Sequence, residues 1–149
     1  SAIGTAQKYY KEGKVAESVK YYDTALELCK TDQTKAAISL KIANALAKSG
    51  ETDKAFTYLD KAIGYNSAIS GKAHLVRAQI LASKKNFSEA ISYCNKAAKE
   101  DVSISGSANR LKSKIIEVQQ KNAEYERQNA AYKAAKEKQE KLDNFWKAE

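Results

Sequence analysis

The sequence predicts an all-α protein built from about three consecutive helix–turn–helix repeats, followed by a long C-terminal helix. The first observation is a segment that recurs at spacings of 37 and then 35 residues, a period typical of helical repeat arrays. Its three copies span residues 14–25, 51–62 and 86–97. The second observation is composition: none of the 149 residues is proline and only six are glycine, which favours long uninterrupted helices.

Each copy of the segment places a small residue seven positions before an alanine, with a bulkier residue between them. These sets are Ser18, Tyr22 and Ala25; Ala55, Leu59 and Ala62; and Ala90, Cys94 and Ala97. A short motif, Ile-Ser-Gly, also recurs at residues 69–71 and 104–106. Gly71 and Gly106 are therefore predicted to mark equivalent junctions between successive repeats.

Six helices are predicted in order from the spacing of apolar and small residues at every third or fourth position. They span residues 2–12, 15–29, 36–48, 52–65, 69–83 and 87–99. Gly13 and Gly50 end the first and the third helix. The third helix is apolar on two sides, which predicts a helix packed between neighbours. Asn86 and Glu89 have the spacing of a capping box at the start of the sixth helix.

A single long helix is predicted from Ser107 to Glu149, because this stretch contains neither glycine nor proline. Its apolar and aromatic side chains alternate at spacings of three and four, interrupted by Asn122 and Asn129. The first turns, to about Val118, are expected to cap the open end of the repeat stack. Beyond them the surface is polar except for the residues expected to dock, which are Tyr125, Tyr132, Leu142, Phe145 and Trp146. These side chains predict burial against the repeats, a second copy of the chain or another protein.

Composition and motifs argue against catalysis, and we expect no cofactor and no metal. The only histidine, His74, has no second metal ligand or nucleophile near it in sequence, and we expect it to be packed or at a groove edge. Cys29 and Cys94 are expected to be free thiols. The net charge of +8 is spread evenly along the chain without a block of like charges, so nucleic-acid binding is disfavoured. An acidic partner remains the alternative that this charge allows.

The sequence contains no apolar run long enough to span a membrane. Two isolated cysteines favour a reducing compartment, and we expect a soluble, cytoplasmic protein. Methionine is absent, so Ser1 is expected to follow a removed segment, and export or periplasmic location after loss of a targeting segment stays open.

The repeated residues resemble those of the tetratricopeptide repeat family, whose unit is a helix–turn–helix of about 34 residues. The matching residues are Gly13, Ser18, Tyr22 and Ala25, then Ala43, Leu46, Gly50, Ala55 and Ala62, then Ala78, Leu81, Phe87, Ala90 and Ala97. Ala2, Ser39 and His74 replace the family's tryptophan, and Lys85 stands where the family usually has glycine. The resemblance implies a right-handed α-α superhelix with repeats at about 2–32, 36–67 and 71–102. Residues 1–105 would form the repeat domain, and 106–149 a C-terminal capping and extended helix.

The resemblance further implies a non-enzymatic scaffold whose concave groove binds a peptide or helix of a partner protein. The expected groove residues are Gln7, Tyr10, Lys11, Leu40, Asn44, Lys48, Lys72, Leu75, Gln79 and Ser83. An alternative is an assembly subunit that docks, or self-associates, through its C-terminal helix. A nucleic-acid-binding adaptor is a less favoured alternative.

An Hsp70/Hsp90 co-chaperone is also less favoured. That subset of the family grips a chaperone's C-terminal carboxylate with a clamp of five residues. The equivalent positions here are Ile3, Gln7, Lys41, Lys72 and Val76. Only Lys72 matches the clamp, and Arg77 lies one place from the position that needs an arginine.

Overall fold

The computed structural model describes residues 1–148, which form seven α-helices and two 3₁₀ turns and contain no strand. The helices are α1 (Ala2–Lys11), α2 (Val15–Leu28), α3 (Asp32–Lys48), α4 (Thr52–Tyr65), α5 (Ser70–Ser83), α6 (Phe87–Glu100) and α7 (Ser105–Lys147). The 3₁₀ turns are Ser67–Ile69 and Val102–Ile104. The predicted all-α repeat fold with a long C-terminal helix is confirmed. The chain divides into a first unit, Ser1–Lys112, and a second that begins at Ser113.

In the first unit the helices pack as three consecutive pairs, α1 with α2, α3 with α4, and α5 with α6. Small, fully buried residues lie on both helices of each pair: Ala6 and Ser18, Ala43 and Ala55, Ala78 and Ala90. In the first pair the Ser18 hydroxyl donates a hydrogen bond of 2.9 Å to the Ala6 carbonyl. Small side chains let the two backbones approach closely, which is why the sequence repeats them at this position.

The turn inside each pair is the same backbone motif. A backbone N–H bonds the carbonyl five residues before it, at 2.9 Å in every pair: Lys14 to Tyr9, Glu51 to Leu46, and Asn86 to Leu81. This closure needs positive φ at the preceding residue, which is 79° at Gly13, 84° at Gly50 and 64° at Lys85. The predicted capping box at Asn86 is wrong, because the turn fixes its backbone at φ −85° and its side chain makes no capping bond.

Lys85 occupies a left-handed conformation that costs a non-glycine residue roughly 1–2 kcal/mol. We expect Lys85→Gly to raise the free energy of unfolding by about 0.5–1 kcal/mol, because relief of that strain exceeds the greater entropy of glycine in the unfolded chain. Chemical denaturation followed by far-UV circular dichroism measures the change. Lys84→Gly is the control, since Lys84 has φ −89° and glycine is expected to destabilise there. A loss of stability in both variants would contradict the argument.

The junctions that follow the three pairs differ. A side chain caps a 3₁₀ turn at two of them: Asn66 accepts from the Ala68 N–H at 3.1 Å, and Asp101 from the Ser103 N–H at 3.0 Å. Between α2 and α3, Thr31 instead caps the helix directly by accepting from the Thr34 N–H at 3.3 Å. The helix predicted to begin at residue 36 therefore begins four residues earlier.

The core of the first unit centres on α3 and α4. Ile42 and Leu59 are fully buried, and α3 is buried on two sides, as predicted. The Ser39 hydroxyl on α3 is buried and has no hydrogen-bond partner among the described residues.

The second unit consists of the remainder of α7. Ile115 is buried, Ile116 and Gln119 are half-buried, and every residue from Gln120 to Ala148 is exposed. The buried stripe therefore ends close to Val118, which is itself 42% exposed.

Candidate functional site

The first helices of the three pairs, α1, α3 and α5, carry all of the predicted groove residues. Each of these side chains is exposed or half-buried: Gln7, Tyr10 and Lys11 on α1, Leu40, Asn44 and Lys48 on α3, and Lys72, Leu75, Gln79 and Ser83 on α5. On each helix they recur at spacings that place them on one side. They are accessible to a ligand, and their role in binding stays a prediction.

The structure brings part of this set together between α1 and α3. A cleft of about 150 Å³ is lined by Tyr10, Tyr22, Lys41 and Asn44. The Nζ of Lys48 lies 4.5 Å from the centre of the Tyr10 ring and so links α1 to α3. Tyr22 is 4% exposed, and burial, with a smaller contribution from Tyr10, raises its pKa. Its hydroxyl therefore remains protonated at neutral pH.

Sequence reasoning missed two residues of this cleft. The sequence predicts Tyr22 only as a packing residue within the repeat, and Lys41 falls at a clamp position that it does not match. The signal for Lys41 was present, because residues 41, 44 and 48 are spaced by three and four along α3 and so lie on one side.

Charge is partitioned between the first and the second helices of the pairs. The first helices contain seven Lys and Arg residues and one Asp, whereas the second helices contain five Lys and seven Asp and Glu residues. The excess of positive charge is spread evenly along the sequence, but within each repeat it lies mainly on the first helix. Among residues 1–148, no ion pair involves Lys11, Lys41, Lys48 or Lys72. These four cations are available to an anionic ligand.

Arg77 is the exception on α5, because it is engaged with α4 and α6. Its guanidinium lies 2.9 Å from Asp60 Oδ1, 4.6 Å from the centre of the Phe56 ring and 5.4 Å from that of Tyr93. Only 19% of the side chain is exposed. Arg77 therefore fastens the second pair to the third and is not directed at the predicted groove.

Comparisons with known proteins agree with this arrangement. The sequence profile of the tetratricopeptide repeat family matches residues 40–102. This stretch of the chain is therefore similar to the tetratricopeptide repeat family. No curated protein sequence matches it.

Two solved tetratricopeptide repeat (TPR) domains share the fold of this chain at low sequence identity. The TPR2B domain of yeast Sti1, in its pHsp70 complex, is 20% identical in sequence to this chain, with a TM-score of 0.66. The match covers 78% of this chain and 94% of the Sti1 domain. The second TPR domain of human RPAP3, in complex with the HSP70 peptide SGPTIEEVD, is 19% identical in sequence to this chain, with a TM-score of 0.63. The match covers 77% of this chain and 92% of the RPAP3 domain.

The repeat array departs from the co-chaperone clamp in its packing as well as in its residue types. Ile3 and Val76, at two of the five clamp positions, are half-buried and pack against the hydrophobic core. Apolar side chains cannot donate hydrogen bonds to a carboxylate. The structure therefore offers no clamp of that composition.

His74 lies in a polar cluster between α5 and α6. The Glu100 carboxylate accepts a hydrogen bond of 2.5 Å from the Ser70 hydroxyl and lies 3.1 Å from His74 Nδ1. The Ser70 hydrogen bond, together with the smaller influence of His74, holds the pKa of Glu100 below its usual range. A nucleophilic serine would have to bond the imidazole, whereas Ser70 bonds the carboxylate. His74 is packed, as predicted, with its ring 5.5 Å from that of Tyr93.

Other reactive groups in the described part of the chain are few. Cys29 and Cys94 are free thiols, and burial raises the pKa of the Cys94 thiol, which keeps it protonated and unreactive. Residues 1–148 contain no group of three His, Cys, Asp or Glu side chains placed to hold a metal ion. None of the described helices has the length and apolar character to cross a membrane. The cytoplasmic location stays a prediction.

The predicted docking residues on α7 are all exposed. Their exposed fractions are 70% for Tyr125, 67% for Tyr132, 51% for Leu142, 61% for Phe145 and 63% for Trp146. The Phe145 and Trp146 rings contact each other edge to face at 5.4 Å. Local pairs such as Glu117 with Lys121, at 3.1 Å, support the helix around them.

Proposed function

We propose that this protein is a non-enzymatic interaction scaffold that binds an extended acidic peptide of a partner protein along its first helices. The partition of charge carries this proposal, because the first helices concentrate unpaired lysines while the second helices carry a net negative charge. A surface of one sign attracts and orients a ligand of the opposite sign.

The cleft between α1 and α3 supplies the complementary contacts. Lys41 and Lys48 lie on either side of Asn44 along α3 and can bind carboxylates, while the Asn44 amide can both donate to and accept from a peptide backbone. The Tyr10 ring offers an apolar face to a peptide side chain. On α5, Lys72 and Leu75 repeat the combination of a cation and an apolar residue.

Peptide complexes of the two structural neighbours support a peptide ligand and supply a probe. The peptide SGPTIEEVD has three acidic side chains besides its C-terminal carboxylate. Because the clamp for a terminal carboxylate is not present, we expect this protein to recognise the acidic side chains. A C-terminally amidated peptide should bind within roughly threefold of the free acid, and the neutral variant SGPTIQQVN should lose at least about tenfold in affinity.

Fluorescence polarisation with these three labelled peptides tests the proposal. The double variant Lys41→Glu/Lys48→Glu should lower affinity for the acidic peptides by at least about tenfold, because it places like charges against the ligand. Lys20→Glu/Lys99→Glu is the matched control, since it makes the same change in net charge on α2 and α6. Equal losses in both double variants, or no binding of either acidic peptide, would refute the proposal.

The exposed aromatic residues of α7 favour a second candidate function, docking into an assembly through this helix. Truncation after Gln120 separates the two candidates. It should leave peptide binding unchanged if the first helices bind the ligand, and should abolish assembly if α7 is the docking element.

A further inference from the structure

A spacing of seven residues runs along α7 from the buried Ile115 into its exposed part. One set consists of Val118, Tyr125, Tyr132, Gln139 and Trp146, and a second set, three residues before each of these, of Ile115, Asn122, Asn129, Lys136 and Asp143. Val118, Tyr125, Tyr132 and Trp146 are among the exposed large hydrophobic residues of the protein. In a two-stranded coiled coil the second set would occupy the a positions and the first set the d positions.

The recurrence of large apolar side chains at intervals of seven, broken only at Gln139, indicates a supercoiled partner helix. We call the two sets together the seam. On a straight α-helix each interval of seven residues rotates the side chain by about 20° around the helix axis, so over four intervals the seam would rotate by roughly 80°. The seam from Val118 to Trp146 stays on one side only if the helix winds around another. A flat protein surface does not favour this spacing.

We propose that this seam pairs with the same seam of a second copy of the chain, as a parallel two-stranded coiled coil. Asn122 and Asn129 occupy a positions, where an asparagine meets the same residue of its partner and the two amides can bond each other. In an antiparallel pair each asparagine would instead face a d residue. The neighbouring charges also fit a parallel pair, because Lys121 at g would lie opposite Glu126 at e of the second copy.

Two layers of the seam oppose this association. Lys136 and Asp143 are at a positions and would each meet their own charge in the second copy. We therefore expect a dimer that dissociates on dilution, held mainly by the layers from Val118 to Tyr132 and by Trp146. Asp143→Asn removes one of the two repulsive layers and should tighten the dimer.

Sedimentation velocity of the full chain, over roughly a hundredfold range of concentration, tests this inference. The expected result is a monomer–dimer equilibrium. Tyr125→Ala/Tyr132→Ala should raise its dissociation constant at least about tenfold, since the rings form two central layers. Trp146→Ala should weaken the dimer, and Asp143→Asn should strengthen it. Circular dichroism of each variant checks that the repeats remain folded.

Phe145→Ala is the matched control for Trp146→Ala. The two rings are adjacent and exposed to nearly the same extent, but Phe145 lies about 130° around the helix from the centre of the seam. Its removal should leave the dissociation constant unchanged. Equal effects of the two substitutions, or a monomer at every concentration, would overturn the proposed seam.

Gln139→Cys tests the orientation. Residue 139 occupies a d position, so the introduced thiols would be neighbours in a parallel dimer and oxidation should form an intermolecular disulfide. Wild-type protein with Cys29 and Cys94, oxidised in the same way, is the control and should stay uncrosslinked. A dimer that Gln139→Cys does not crosslink, or a larger oligomer, would overturn the parallel two-stranded arrangement.

Discussion

Replacing Gly71 by alanine is expected to lower the free energy of unfolding of the repeat unit by about 2 kcal/mol. Gly71 is buried, and a Cβ atom built on it would lie 2.6 Å from the Cβ of Asp101 and 3.4 Å from the Asp101 nitrogen. Neither atom is at the end of a flexible side chain. Asp101 is also held in place because its carboxylate caps the 3₁₀ turn at Ser103. Relief of the clash therefore requires α5 to move away from the end of α6.

Gly106→Ala is the control for this prediction, because Gly106 follows the same Ile-Ser motif at the equivalent junction. A Cβ there would have the terminal Nη1 of Arg110, at 3.5 Å, as its nearest neighbour. We expect Gly106→Ala to be neutral or to stabilise by up to about 1 kcal/mol, since alanine is the better helix former. Urea denaturation of both variants measures the difference. Similar changes in both would show that the contact with Asp101 is not the cause.

These two glycines show how far the sequence could predict the structure. The recurring motif located both junctions, because local turn chemistry repeats with the sequence. It could not show that Gly71 approaches Asp101, which is 30 positions away in the chain. The same limit applies to the start of α3, where Thr31 replaces the capped 3₁₀ turn of the other junctions.

The candidate site was predicted in part for a similar reason. Helical spacing selected Tyr10, Asn44 and Lys48, and the structure brings these residues to one cleft or to its edge. Lys41 is not among the predicted groove residues because a lysine does not match the family's clamp at that position, and Tyr22 because its spacing within the repeat predicts a core residue. The partition of charge is not visible in a count of charges along the chain. Only a count by helix position separates the first helices, which together carry a net positive charge, from the second helices, which together carry a net negative charge.

Replacing Leu59 by alanine is expected to have the largest effect on stability, a loss of about 3 kcal/mol. Leu59 is fully buried on α4 and belongs to the continuous core that includes Ile42 and Leu46 of α3. Truncation removes its transfer free energy and leaves a cavity between helices that cannot collapse fully. Because each repeat contacts only its neighbours, damage to the middle pair weakens the interfaces on both of its sides.

Leu28→Ala is the control, since Leu28 also lies on a second helix but is 72% exposed. Its free energy of unfolding should stay within about 0.5 kcal/mol of wild type. Thermal and urea denaturation of the two variants give the comparison, and the affinity for the acidic peptide gives a second measurement.

Leu59→Ala should retain that affinity at temperatures where it stays folded, because its side chain lies in the core and not among the predicted groove residues. A loss of peptide affinity in a folded Leu59→Ala protein would show that packing in the core sets the position of α3, and with it the spacing of Lys41, Asn44 and Lys48.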